Sequence, residues 1–577
     1  MRNGCAVATA ILAITLPVIL RGAPVRADDV PPAPRPAPSW NWTGFYAGGH
    51  VGAFKGTTTF SDPDGPAPFG GSVGTPGFLA GLQLGYNWQA APQLVLGVEA
   101  EATLLSGYGA NTCVQSSPNV IGSNCKVTPR ELATLTGRLG FVTEPRGRTL
   151  LYGKAGVAWM RADASINPNN TVNSQDQGFL NGGFTFSDVP AQGEPVSGSI
   201  SAWGPTVGAG VEYALGSAWS LKMEYNYMYF GGMSLPTPAT SNITASGDVT
   251  NPPSSGSSNI TQNLHIARVG LNYHFGGGAR RSEADGSAAP DGVAWTPGWE
   301  FEAGARYWYS SGSYQNSNGA APYSLVSHLS YNNLAGYTGE LFGRVDSPVD
   351  IFVKGFIGGG AITQGQMYDE DWGLSSALAG APTAYEITQS NVSGSLHYLT
   401  ADIGYNVMRG PDHKVGLFVG YNLYQTALNA TGCSQLVQPS SGVCYPAISS
   451  TTPVISQTDI WQSVRVGVSA EVRIWEHLKL GGDFAYLPYV SYNGLDSHWQ
   501  RSPAALFPFN GTGNGVQAEI VATYNMTEAF SIGVGGRYWA MWTNLGSQMD
   551  SPSNNISAST DRYGVFAQAS YKFNVPK

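Results

Sequence analysis

The chain has 577 residues, a formal net charge of −9, 75 glycines and 11% aromatic residues, and only 12% of its residues are charged. This length predicts two domains rather than one, and the modest acidic charge gives no basic surface for nucleic acid. After the N-terminus, no apolar run reaches the roughly 20 residues that a membrane-spanning helix needs. Abundant apolar residues with few charges favour transmembrane β-strands, and a large soluble β-protein is the alternative.

The N-terminus has the features of an export signal. Arg2 precedes an apolar core over 6–20, and Val25, Arg26 and Ala27 form a small-x-small cleavage site. We therefore expect residues 1–27 to be a signal peptide. A proline-rich leader, predicted to be extended, follows at 28–40.

The first domain, 41–275, is predicted to be an eight-stranded antiparallel barrel in the outer membrane. Its strands are expected at about 42–58, 75–89, 93–108, 127–143, 149–164, 200–215, 218–233 and 260–275. One face of each strand is apolar and the other carries polar residues of both charge signs, notably Glu99, Glu101, Arg138, Lys154, Lys222 and Glu224. Buried charges must pair, and eight strands leave room only for side chains, so the pattern predicts a plugged barrel and not a pore.

The connections between these strands alternate in length, which sets the orientation. Long connections rich in Gly, Ser, Asn and Pro occur around 59–74, 109–126, 165–199 and 234–259. In outer-membrane barrels the long loops face outside and the short turns face the periplasm. The long connections are therefore expected to be extracellular.

Four cysteines remain once Cys5 leaves with the signal. They form two close pairs, Cys113 with Cys125 and Cys433 with Cys444. In an exported protein this spacing favours two local disulfides, with free thiols as the alternative. No cysteine or histidine spacing suggests zinc, and neither a metal nor another cofactor is expected.

The opening WNWTGFYAGGHVGAFKG and the closing HIARVGLNYHF resemble the small eight-stranded outer-membrane proteins of alphaproteobacteria. The resemblance covers about 40–275. It implies a structural or surface-interaction role and supplies no catalytic residues.

A linker is predicted at 276–298, where the residues are mostly small or charged and show no hydrophobic periodicity. An even strand count before it places the linker in the periplasm. The alternative is a single porin of 18 strands, which the terminal aromatic strand ending at Phe275 disfavours.

The second domain, 299–577, is predicted to be a ten-stranded barrel. Its strands are expected at about 299–314, 330–346, 350–366, 395–409, 413–428, 457–475, 478–492, 514–525, 530–543 and 561–573. The clearest alternation lies in 457–475, where valines on one face alternate with Arg465, Glu471 and Arg473 on the other. The upper loops then follow the first, third, fifth, seventh and ninth strands of this barrel.

Two polar segments at these upper ends contain candidate catalytic residues. The third strand rises into Asp369, Glu370 and Asp371, and the seventh runs into a polar loop that holds Asp496 and His498. These strands lie on opposite sides of a ten-stranded cylinder, so the segments are expected to face each other across its mouth. A histidine beside a carboxylate is a general base near neutral pH, and two close carboxylates can hold a polarised water. Each pair is a weak signal alone, and their joint placement predicts hydrolysis of a peptide bond.

Four segments, QMYDEDW, GSLHYLTAD, HKVGLFVGYN and LKLGGDFAYLPYVSYNGLDSHW, resemble the omptins, outer-membrane aspartyl endopeptidases. The resemblance covers about 299–573. It implies that Asp369 and Asp371 form the carboxylate pair, that Asp496 orients the histidine, and that His498 is the general base. It also implies peptide or protein substrates at the cell surface, outer-membrane lipid as surroundings, and lipopolysaccharide as an activator.

The sequence departs from this family where a basic substrate side chain would bind. Omptins that cleave at basic pairs carry acidic residues there, and the corresponding places here are the Gly312–Ser313 region and Gly494. Glu370 is a possible substitute, and His328 and His397 are further histidines that could approach the site. A surface endopeptidase is favoured, with a non-enzymatic adhesin or structural barrel as the alternative, and a diffusion pore is disfavoured by the mixed charges.

Overall fold

The computed structural model of the chain describes most of the residues after the N-terminal segment. These are residues 40–63, 65, 69–114, 123–143, 147–168, 195–215, 218–238, 256–275, 278–279, 298–319, 325, 327–372, 385–436, 444, 446–501, 503–548 and 555–575. The predicted signal peptide, nearly all of the leader and most of the linker lie outside these ranges. Within them, no helix is long and apolar enough to cross a bilayer.

The first half of the chain forms a closed antiparallel barrel. Its strands are β2 (Gly44–Phe60), β3 (Ser72–Ala91), β4 (Leu94–Gly107), β5 (Gly109–Cys113), β6 (Ser123–Val142), β7 (Thr149–Pro168), β8 (Val196–Ala214), β9 (Trp219–Pro236) and β10 (Ser257–Phe275). Pairing of β4 with β6 and of β2 with β10 closes a ring of eight, with the short β5 added beside β6. A two-residue strand, β1 (Trp40–Asn41), pairs separately with β11 (Gly278–Ala279).

The interior of this first barrel is filled by charges of both signs, as the alternation predicts. Lys154 Nζ lies 2.9 Å from Glu99 and Glu224 and 3.1 Å from Glu101. Arg268 also bridges Glu101 and Glu224, and these side chains are almost inaccessible to solvent. Because every buried carboxylate faces a cation, the network avoids the cost of an unpaired charge and plugs the barrel.

The second half forms a closed barrel whose ten strands pair in chain order. They are β12 (Trp299–Gly319), β13 (Ser327–Asp346), β14 (Ile351–Trp372), β15 (Tyr385–Arg409), β16 (His413–Gln435), β17 (Ile448–Arg473), β18 (Leu478–His498), β19 (Ala505–Asn525), β20 (Phe530–Gln548) and β21 (Asn555–Val575). The predicted fold class, two antiparallel barrels in tandem with eight and then ten strands, is therefore confirmed.

An outward ring of tyrosines marks one membrane boundary of the second barrel. These side chains are 40–53% exposed and comprise Tyr309, Tyr337, Tyr421, Tyr489 and Tyr563. Aromatic girdles of this kind lie at the membrane–water interface. β14 and β18 continue past this ring to Trp372 and His498, so their upper ends stand outside the membrane.

One sequence expectation is wrong in detail. Asp496 and His498 were expected in a polar loop, but they lie in β18 itself. The strand persists because both neighbours are equally long: His498 pairs with Ile455 of β17 and with Ala505 of β19. These pairings satisfy the backbone groups that a loop would leave to water.

The two barrels touch along their outer walls. Tyr213 of the first barrel approaches His413 at the lower end, with ring centroids 5.8 Å apart. Phe78 lies 5.0 Å from Tyr486 higher up. Near the tyrosine ring, Lys55 of the first barrel forms an ion pair with Asp561. The barrels therefore stand side by side with corresponding ends aligned.

Candidate active site

The carboxylate pair is aimed into the second barrel by an irregularity in β14. Below it, Phe352 and Ile362 face the interior and are buried. The register then shifts between Ile362 and Gln366, after which Met367 is buried in the same core as Ile362. An extra residue reverses which side chains point inward. Asp369 and Asp371, which share the face of Met367, therefore point into the mouth of the barrel.

A similar register shift turns the upper side chains of β18 inward. Asp483 faces inward and pairs with Lys354, whereas Phe484 faces the first barrel. The register shifts between Leu487 and Val490, so the even-numbered side chains point inward above that point. Asp496 and His498 thereby enter the interior.

Asp496 and His498 form a hydrogen-bonded pair. Asp496 Oδ2 lies 2.9 Å from His498 Nε2, and the carboxylate is buried. The imidazole also packs edge-on against Phe507, with ring centroids 5.3 Å apart. If Nε2–H donates to the carboxylate, Nδ1 carries the free lone pair and is the basic nitrogen.

Asp371 lies within electrostatic reach of this pair. Burial raises the pKa of its carboxyl above the ordinary value. A hydrogen bond from Ser327 and electrostatic interactions with His498 and Arg501 lower the same pKa, and the charge of Asp496 raises it further. The structure thus brings one member of the predicted carboxylate pair to the Asp-His pair across the mouth of the barrel.

Tyr331 of β13 links the remaining carboxylate to this group. Burial raises the pKa of its hydroxyl, and the charges of Asp496, Asp459 and Asp369 raise it further. Within the described ranges, neither Tyr331 Oη nor Asp496 Oδ1 has a hydrogen-bond partner, although both atoms are buried. Buried polar atoms are costly unless something polar binds them. These two atoms therefore favour a water molecule or a substrate group between the opposing walls.

A buried polar network forms the floor below the site. Tyr314 Oη lies 2.5 Å from Tyr492 Oη, and Tyr492 donates to Asp459 Oδ1 at 2.9 Å. Gln457 donates to both Tyr314 and Asp459. Burial raises the pKa of Asp459 to about 7, so this carboxyl is largely protonated below neutral pH. Asp459 pairs with Thr426 and Gly494, both beyond the tyrosine ring, so the network lies outside the membrane.

Sequence reasoning missed three residues of this arrangement: Tyr331, Asp459 and Tyr492. Tyr331 occupies an ordinary core position in the pattern, and its unpartnered hydroxyl is visible only in three dimensions. Asp459 carries a weak signal, as an acid between Gln457 and Trp461 on the inward face of β17. Gly494 has no space for a side chain, because a Cβ there would lie 2.1 Å from Tyr492 Oη.

Three other candidates lie away from the site. Glu370 faces outward, opposite to Asp369 and Asp371, and so cannot line an acidic pocket. His328 pairs with Glu370 on the same outer face, and burial lowers its pKa to about 4. His397 is exposed on β15 opposite Gly359, far below the mouth. Alternation along each strand separates these side chains from the interior.

The four remaining cysteines form two disulfides. Cys113 pairs with Cys125 in the first barrel, with Cα atoms 5.7 Å apart. Cys433 pairs with Cys444 at the upper end of β16, with Cα atoms 5.5 Å apart. Both bonds lie on the long-loop side of the barrels and are local in sequence.

Comparison with known proteins assigns each half separately. Residues 30–275 match the outer membrane protein beta-barrel domain, and residues 326–572 match the omptin family. The chain is 28% identical over 253 residues to a 31 kDa outer-membrane immunogenic protein of Brucella melitensis, covering 42% of this chain and 89% of that protein. It is 30% identical over 191 residues to a 22 kDa outer membrane protein of Rhizobium leguminosarum, covering 33% and 65%.

Among solved structures, the outer membrane protease OmpT from Escherichia coli is similar with a TM-score of 0.39 and 18% identity, covering 49% of this chain and 99% of that chain. The family matches carry the assignment. This is an outer-membrane β-barrel protein of a Gram-negative bacterium, and its second half is similar to the omptin family.

Proposed function

We propose that the second barrel is a cell-surface endopeptidase of the aspartic, omptin-like type, which hydrolyses peptide bonds with an activated water. One observation carries the proposal: Asp371 from β14 stands within electrostatic reach of the hydrogen-bonded Asp496–His498 pair from β18. The omptin-family match of residues 326–572 supports the same reading.

In the proposed mechanism, a water lies between Asp369 and Asp371 on one wall and His498 on the other. His498 Nδ1 removes a proton as the water oxygen attacks the peptide carbonyl carbon, and Asp496 stabilises the imidazolium that forms. The raised pKa of Asp371 favours one proton shared by the carboxylate pair, which can hydrogen-bond the developing oxyanion. The C–N bond then breaks, and the imidazolium proton passes to the leaving amine.

The floor of the site favours a neutral substrate side chain over a basic one. The places where a pair of acids would select a basic side chain hold Gly494 and the Gly312–Ser313 region. Tyrosine hydroxyls and Asp459, whose carboxyl is largely protonated below neutral pH, lie beneath them. A cation buried there would lack a matching negative charge. We therefore propose cleavage beside polar, uncharged or aromatic residues.

A peptide-library digest in lipopolysaccharide-containing micelles tests the proposal. The parent is expected to cleave, and His498→Ala and Asp369→Ala are each expected to reduce cleavage by on the order of 10²–10⁴-fold, the range for loss of a positioned acid or base. His397→Ala, at an exposed outward position, and Asp163→Ala on the first barrel are the matched controls. Parallel micelles without lipopolysaccharide test the proposed activator.

Equal cleavage by the parent and both site variants would remove the residue assignments. No cleavage by the parent would favour the second candidate, a non-enzymatic surface barrel. The plugged first barrel, with its fully paired interior charges, is consistent with a structural or surface-interaction role in either case.

A further inference from the structure

The upper end of β14 presents different side chains on its two faces. Asp369 and Asp371 point into the second barrel, whereas Tyr368 and Glu370 point outward against the first barrel. The ring of Tyr368 stacks on Phe69, with centroids 4.2 Å apart and planes inclined by 27°. Glu370 accepts a hydrogen bond from the hydroxyl of Thr112. One short segment therefore carries both the proposed carboxylates and the contacts with the first barrel.

The two contacting residues of the first barrel belong to one connected block. The backbone N–H of Gly71 donates to the carbonyl of Thr112 at 2.8 Å, and Asn111 Nδ2 donates to the carbonyl of Ser72 at 2.8 Å. Gly70, at φ +82°, approaches so closely that a Cβ there would lie 2.2 Å from the Thr112 carbonyl oxygen. Phe69 and Thr112 are thus held relative to each other by backbone contacts. We call this block, residues 69–72 and 109–113, the rim.

The contact at Glu370 is fully desolvated. Glu370 and Thr112 are both inaccessible to solvent, so the carboxylate depends on polar protein groups for the hydrogen bonds that water would supply. Because successive side chains on a strand point in opposite directions, fixing Glu370 against the rim also fixes the directions of Asp369 and Asp371.

A second contact, near the membrane boundary, fixes the vertical position of one barrel relative to the other. Lys55 projects outward from β2 and forms an ion pair with Asp561 of β21. The same ammonium lies 4.2 Å from the centroid of the Tyr563 ring. Outward charges next to lipid are costly unless they are paired. This ion pair therefore favours one vertical register, the register in which the rim meets the upper end of β14.

We propose that the rim of the first barrel is a brace for the proteolytic site, in which Thr112 and Glu370 are positioning residues that hold Asp369 and Asp371 in place. The inference rests on the proposed function and gives the first barrel a role in it. The brace acts on the geometry of the carboxylate pair and does not touch the substrate.

Thr112→Val removes the hydroxyl while keeping the shape of the side chain. We expect kcat to fall by about 10-fold with KM unchanged, since a small displacement of a reacting group has effects of this order or larger. Thr112→Ser keeps the hydroxyl and should restore kcat. Ser201→Ala, which removes an exposed hydroxyl on β8 of the same barrel and outside the rim, is the control. In a Glu370→Ala background, Thr112→Val should lower kcat little further, because the acceptor of the Thr112 hydroxyl is already gone.

Hydrogen exchange of full-length protein in micelles tests the brace without reference to activity. Amides of 366–372 should exchange faster in Thr112→Val than in the parent, and amides of 457–473 should not change. Unaltered exchange at 366–372, or faster exchange with unaltered kcat, would overturn the proposal. If the parent cleaves no peptide, the proposed function fails, and the exchange of 366–372 alone decides whether the rim holds this strand. Heat-modified migration in gels confirms that each variant is folded.

Discussion

Asp459 should make the second barrel less stable as the pH rises. Its carboxyl is buried and accepts hydrogen bonds from Gln457 and Tyr492, and burial raises its pKa from 3.8 to about 7. In the unfolded chain the group ionises near its ordinary value. Between these two values the folded state holds a proton that the unfolded state has lost, so stability falls as the pH rises through this window.

The magnitude follows from the width of the window. Each unit of pKa difference corresponds to about 1.4 kcal/mol, and a window of roughly three units gives about 4 kcal/mol in total. Asp459→Asn keeps the shape but removes the titration. Relative to the parent, the variant should gain about 1.4 kcal/mol in free energy of unfolding per pH unit from about pH 4 to 7 and then level off.

Denaturant unfolding in micelles, followed by tryptophan fluorescence at several pH values, measures this difference. Any loss from the altered hydrogen bonds in Asp459→Asn is the same at every pH, so it offsets the curve without changing its slope. Asp163→Asn, which alters a largely exposed carboxylate paired with Arg130 on the first barrel, is the control. A difference between parent and Asp459→Asn that does not vary with pH would refute the assignment of a buried, protonated carboxyl.

Three further outcomes are expected from the same geometry. Tyr331→Phe should lower kcat/KM by about 10-fold, the loss of one hydrogen bond to a polar or charged group, with little change in the unfolding midpoint, since the hydroxyl has no described partner. Arg501→Gln removes a charge that lowers the pKa of Asp371, so the acid limb of the kcat/KM profile should move to higher pH. Gly494→Ala should destabilise the protein by about 1–3 kcal/mol in denaturant unfolding, because the added Cβ overlaps Tyr492.

The membrane-spanning part of the fold follows closely from the sequence. Alternation with a period of two marks the strands, the short and long connections give their direction, and the mixed charges of the first barrel predict its plug. These signals are local, and each strand shows them without reference to its neighbours. For the same reason, the strand count of each barrel was predictable.

The directions in which the site side chains point could be predicted less well from the sequence. Counting by two from Asp483 would place Asp496 and His498 on the outer wall, and counting from Phe352 would do the same for Asp369 and Asp371. The register shifts above Leu487 and Ile362 correct both, and they depend on how neighbouring strands pair. The resemblance to the omptins pointed to residues that the structure turns inward, whereas periodicity alone would have turned them outward.

The contacts between the barrels were beyond prediction from one sequence. Lys55 and Asp561 are 506 residues apart along the chain, and each is an isolated charge on an outward face. Thr112 and Phe69 lie in polar connections whose residues carry no period. Only the packing of two closed walls brings these groups together.

Trapping experiments test most directly whether water itself attacks the substrate. A cleavable peptide is digested by the parent in ¹⁸O-labelled water with hydroxylamine present, and the products and the intact protein are weighed by mass spectrometry. The account predicts one labelled oxygen in the new carboxylate, no hydroxamate and no acylated protein, with cleavage in His498→Ala reduced by on the order of 10²–10⁴-fold. A hydroxamate product or a covalent peptidyl-protein adduct would contradict it.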